Sequence, residues 1–109
     1  MAKHQIYSIS LREIHKGVII NETRTDTVMY TRRQVLIKAE RMGRNYFKIH
    51  PDSFYLDFNI YLEECQKPCL SVIMFNHKTH IHVTFYDYNL DAVCYDSNDR
   101  RKKSLGKSH

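Results

Sequence analysis

Residues 53–64 read SFYLDFNIYLEE, and the fold turns on whether this stretch is helix or strand. Helical spacing gathers Phe54, Phe58, Tyr61, Leu62 and Cys65 but leaves Leu56 and Ile60 badly placed. Strict alternation puts Phe54, Leu56, Phe58, Ile60 and Leu62 on one face, against Tyr55, Asp57, Asn59, Tyr61 and Glu63 on the other. Only the strand places all five large apolar residues of the first set together. The segment is therefore read as a strand with one face in the core.

Its neighbours extend the pattern. In QIYSISLREI, Tyr7, Ile9 and Leu11 alternate with Ser8, Ser10 and Arg12, and HKG precedes VIINE, so residues 5–22 form a hairpin with a three-residue turn at Gly17. Further on, CLSVIMF pairs with HIHVTFYDY across the four-residue loop 76–79, with Phe75 opposite His80 and Ile73 opposite His82. Leu70, Val72, Met74, Ile81, Val83 and Phe85 then share an apolar face that must be core. One helix stands out, over about 32–42. Thr31 and Gln34 have capping-box spacing, Val35, Leu36, Ala39 and Met42 fall on one side, and Gly43 supplies a stop. NYFKIHPDS between helix and strand reads as a short strand followed by a turn at Pro51-Asp52. The expected fold class is α+β: a mostly antiparallel sheet of five or six strands with one main helix packed on it. Residues 1–96 make one domain, and 97–109 a basic, disordered tail.

At 109 residues, with 42% apolar content and 12% aromatic content, the chain has enough to build a single core. Cysteines 65, 69 and 94 form an odd set, and MAKHQIYSISL has no apolar leader region. No run approaches the ~18 apolar residues of a membrane span. A reducing, cytoplasmic location without membrane contact is expected.

Charge is more informative than its total of +5. Residues 1–48 hold ten Lys/Arg against four acids, 49–98 two against seven, and the last eleven five against one. Such asymmetry suggests an anionic partner for one end. Arg33, Lys38 and Arg41, with Arg32 and Arg44 at the ends, make a cationic helix surface, and Arg100, Arg101, Lys102, Lys103 and Lys107 a cationic arm. Together they can neutralise several phosphates, with affinity that falls as salt rises. A solvated Lys/Arg face serving only solubility is the plainer reading.

The three histidines of FNHKTHIHVTFYD invite a metal reading. His80 and His82, at i and i+2 on a strand, project the same way and would form half a zinc site. A third ligand is missing. Cys69 lies on the same face but four cross-strand pairs from His80, more than ~12 Å along the strand. No metal and no cofactor are therefore expected. The same face, with His80, His82, Tyr86 and Tyr88, offers stacking platforms if exposed, or the rim of a second layer if the helix covers it. Pro51-Asp52 followed by Glu64 and Lys67 partly resembles the PD…(D/E)xK arrangement of metal-dependent nucleases. Here the lysine comes one place late, and no role carries over. With three glycines in all, a glycine-rich phosphate loop is effectively excluded.

The reading that follows is a small, non-enzymatic binding or regulatory protein contacting nucleic acid or a nucleic-acid-handling complex. Its first alternative is an inhibitor or accessory factor that blocks a nucleic-acid-processing enzyme without touching nucleic acid. The second is a small metal-dependent nuclease or hydrolase acting through His82 and Asp57. A homodimer through an exposed edge strand is a further expectation.

Overall fold

The computed structural model describes residues 5–63, 66–78, 80–88 and 93–96, the last four by backbone alone. The fold is α+β. Strand β1 (Gln5–His15) turns at Lys16-Gly17 into β2 (Val18–Met29). Two residues make the turn rather than three, with φ of 52° at Lys16 and 79° at Gly17. Two successive positive φ values give the primed turn whose twist matches a hairpin, and glycine adopts it without a Cβ penalty. Glu13 faces Asn21 while Ile14 faces Ile19, so Ile20 is an extra residue in β2. Strand β2 also runs seven residues past the expected end at 22. Thr23, Thr25 and Thr27 alternate there with Arg24 and Asp26, so the segment is β-branched without being apolar.

Helix α1 spans Arg32–Ile49, not 32–42. Its start is as expected: the Gln34 amide donates to Thr31 Oγ1 at 3.1 Å, and the Gln34 side chain accepts from the amides of Thr31 (3.1 Å) and Tyr30 (2.8 Å). Gly43 does not stop it. That glycine is a contact residue, where a Cβ would lie 2.1 Å from Met74 Sδ and 3.1 Å from Phe58 Cζ. The segment read as a short strand, 45–49, is the last turn and a half of the helix. It ends at His50, whose amide donates to the Tyr46 carbonyl at 2.8 Å, just before Pro51.

The decisive stretch is strand β3, Tyr55–Leu62. With β4 (Leu70–Asn76), β5 (Ile81–Asp87) and β6 (Val93–Asp96) it completes a six-stranded antiparallel sheet in the order β2-β1-β3-β4-β5-β6. The last hairpin is two residues out of the expected register: Phe75 faces His82 and Ile73 faces Thr84. A slip of two keeps the residues within the two strands on their predicted faces.

Helix and sheet enclose one core. Val35, Ala39, Gly43 and Phe47 of α1 are buried against Leu56, Phe58, Ile60, Leu70, Val72, Met74, Val83 and Phe85 of the sheet, extended by Tyr7, Ile9 and Leu11. Leu36 and Met42 are partly buried beside them. Each fully buried Leu, Ile or Phe contributes roughly 1.5–3 kcal/mol. Cys69 is buried with the core, its thiol donating to the Ile60 carbonyl at 3.5 Å, and so does not share the His82 surface. Phe54, expected in the core, precedes the strand and is 50% exposed. The helix thus covers the Leu70/Val72/Met74 face, and the Ser71/Ile73/Phe75 face is directed the other way.

Candidate functional site

Because the helix continues past Gly43, Arg41, Arg44, Asn45 and Lys48 fall at i, i+3, i+4 and i+7 and form one stripe. They line a cleft of about 690 Å³ between the second half of α1 and the β4–β5 loop. The opposite wall carries Asn76, Lys78, His80 and Ile81, with Pro51 and Asp52 at one end and buried Phe47 at the base. Four Lys/Arg and one His thus meet a single carboxylate. Arg44 spends part of its charge on Glu40 at 2.9 Å. Among the described residues no ion pair engages Arg41, Lys48 or Lys78. The C-terminal end of the helix opposes an anion with about half a negative charge, which Arg41, Lys48 and Lys78 outweigh even against Asp52.

The loop wall is held in place. Asn76 donates to the Pro51 and Ser53 carbonyls at 3.1 Å each and accepts the Lys78 amide at 2.8 Å. His77 closes the loop through its amide to the His80 carbonyl at 3.0 Å. Lys78 takes φ of 72°, a left-handed conformation costing a non-glycine residue about 1–2 kcal/mol. These bonds fix it, and so fix where the lysine begins.

Other expected site residues are scattered. Arg32 is not part of the free cationic surface, since it donates to Asp87 at 3.0 Å and ties the start of α1 to the end of β5. Arg33 is exposed and Lys38 half-buried. His80 precedes β5 and lines the cleft, whereas His82 is on the sheet face away from the helix with a ring nitrogen 3.3 Å from Thr84 Oγ1. Tyr86 is half-buried opposite Ser71, and Tyr88, half exposed, donates to the Ser71 hydroxyl at 3.5 Å. Arg100, Arg101, Lys102 and Lys103 lie outside the described residues. Sequence reading missed Lys48 and Lys78, one beyond the expected helix and one in a loop that only tertiary packing carries to it.

Asp57, the acid of the enzyme alternative, is held apart from Asp87. Asp57 takes a bond of 2.5 Å from Arg12 on the open sheet face, and Asp87 pairs with Arg32 on the helix side. Among the described residues no three His, Cys, Asp or Glu side chains are grouped to hold a metal ion, and no helix is long and apolar enough to cross a membrane. A second cleft, about 520 Å³, runs between Glu13, His15 and Ile20 on one side and Ile49–Ser53 on the other. Beside it, the Tyr46 hydroxyl donates to Glu13 and accepts from Asn21 at 3.0 Å. Burial, and then the Glu13 bond, push the Tyr46 phenol above its ordinary value of 10.0.

At the end of the sheet next to the cationic cleft, four rings cluster. Phe75 stacks on Tyr55 (4.8 Å, 17°), and Phe54 tilts against Phe75 (5.5 Å) and meets the His77 ring edge-on (5.4 Å). Burial pushes the Tyr55 phenol upward too, with Asp57 adding to the effect. No protein-family model matches the chain, and comparison with curated proteins and with solved structures returns no match.

Proposed function

We propose that the protein is a small, non-enzymatic binding protein that engages nucleic acid, with the cleft between α1 and the β4–β5 loop taking the phosphate backbone. The observation that carries this reading is the convergence of Arg41, Arg44, Lys48, Lys78 and His80 on one cleft against Asp52 alone. Phosphate contacts of this kind supply affinity without sequence preference. The Arg100–Lys103 run and Lys107 add further cationic contacts in this reading.

The test is binding of the purified full chain to labelled single- and double-stranded oligonucleotides with no protein partner present. Arg41/Lys48/Lys78→Ala and Arg100/Arg101/Lys102/Lys103→Ala are compared with the native chain. Loss of binding in the first variant supports the cleft as the site. Binding that survives it and disappears in the second would assign the contact to the tail. No binding by the native chain would favour the alternative in which an acidic protein surface fills the same cleft, as in an inhibitor or accessory factor of a nucleic-acid-processing enzyme.

A further inference from the structure

We infer that Phe54 and His77, backed by Phe75, form a stacking platform for unpaired bases, so that the nucleic acid taken by the cleft is single-stranded; this rests on the phosphate reading above.

Three observations carry it. Phe54 is 50% exposed although its pattern would place it in the core, so a large apolar ring is presented to solvent at the end of the sheet. It is not a loosely held ring. Its carbonyl accepts the Asn76 amide at 2.8 Å, and its side chain rests on Phe75, itself stacked on Tyr55. A ring held in place loses little freedom on binding. His77 is exposed beside it, its ring plane 24° from that of Phe75 at 6.3 Å and 80° from that of Phe54 at 5.4 Å, so two solvent-facing rings meet edge-on, each with a face of its own for a base.

Position supplies the second part. The platform and the cleft are built from interleaved residues: Ser53 is followed by Phe54, and Phe75, Asn76, His77 and Lys78 are consecutive. Asn76 lines the cleft, and its side chain joins the β4–β5 loop to the Pro51–Ser53 turn. Phosphates in the cleft therefore bring the adjoining bases over the end of the sheet, toward Phe54 and His77. A cationic groove beside aromatic rings is how proteins hold single strands without reading sequence, because every base has a stackable face. In a duplex the base faces are covered by their neighbours, and the platform has nothing to contact.

The experiment compares three probes of equal length: a 20-nucleotide oligothymidylate, the same backbone without bases and so of the same charge, and the thymidylate strand annealed to its complement, which doubles the charge. Stacking of one or two bases predicts that the full chain binds the thymidylate about tenfold or more tighter than the abasic strand. Phe54→Ala/His77→Ala removes that preference and leaves abasic binding unchanged. Phe54→Tyr with native His77 keeps it, which separates loss of a stacking ring from any disturbance of the fold. Equal binding of thymidylate and abasic strands by the native chain overturns the platform while leaving the cleft intact. So does a preference that survives Phe54→Ala/His77→Ala, or duplex binding that weakens in that variant as much as thymidylate binding does. If none of the probes binds, the phosphate reading falls and the platform with it.

Discussion

Replacing Gly43 with Ala tests the helix–sheet packing where sequence and structure disagree most. In an exposed helix this change stabilises by about 1 kcal/mol, because alanine is the better helix former. Here the new Cβ would sit 2.1 Å from Met74 Sδ, 3.0 Å from its Cε and 3.1 Å from Phe58 Cζ. Met74 and Phe58 are fully buried, so the thioether has no solvent to move into. Overpacking of this kind costs about 1–3 kcal/mol, which exceeds the gain in propensity. The variant is expected to be less stable by about 1 kcal/mol, a fall of several degrees in Tm for a domain of this size. Met74→Ala alone costs about 2–5 kcal/mol through its cavity. In that background Gly43→Ala should turn stabilising, since the obstructing side chain is gone and the methyl enters the space. Urea unfolding of the four proteins gives the coupling, expected at about 2 kcal/mol. A single Gly43→Ala variant that is more stable than the native chain would refute the close approach of α1 to β4.

Three further perturbations follow from particular contacts. Thr31→Ala removes one half of the capping box and is expected to cost about 1 kcal/mol, with Thr31→Ser close to native in thermal unfolding. Arg12→Met leaves the Asp57 carboxylate, only 16% exposed, without its guanidinium and should cost about 1–3 kcal/mol. The double change with Asp57→Leu should recover most of that, and additive losses in denaturant titration would argue against a working pair. Tyr7, Tyr46 and Tyr55 are all held above 10.0, burial first among the causes, so the fold favours their neutral forms. Their contribution is intact below the unfolded-state value of about 10 and declines as pH rises above it. Tyr46→Phe should therefore lose less stability than the native chain between about pH 10 and 11. Parallel stability–pH curves for the two proteins would remove Tyr46 from the account.

What the sequence discloses depends on which physical signal each element carries. Period-two burial made β3, β4 and β5 legible, and the core faces remain right even though the last hairpin is displaced by two residues, because a slip of two preserves side-chain direction. Thr31 and Gln34 mark the start of the helix by a local hydrogen-bond pattern, which sequence spacing shows directly. Its end was hidden. A glycine that stops a helix and one that lets it approach a sheet are the same letter, and only Met74, 31 residues away, tells them apart. The polar half of β2 offers no apolar face because it is the sheet's edge, with Arg24 over the Tyr61 ring at 5.0 Å and bonded to Ser8 at 2.7 Å. The candidate site was half visible for related reasons. Arg41, Arg44 and His80 were singled out, but on surfaces that the structure rearranges. Lys48 needed the true helix end, and Lys78 needed the loop that Asn76 holds.

Salt dependence shows whether the cleft cations meet phosphates. Arg41, Lys48 and Lys78 form no ion pair among the described residues. Each phosphate neutralised on a single strand adds about 0.7 to the slope of log K against log salt, so these three contribute about 2. Raising salt from about 50 to about 200 mM should then weaken their share of binding roughly 16-fold. The measurement is that slope for the full chain and for Arg41/Lys48/Lys78→Ala on one single-stranded oligonucleotide. The slope should be shallower by about 2 in the variant. An unchanged slope would contradict phosphate contact in the cleft.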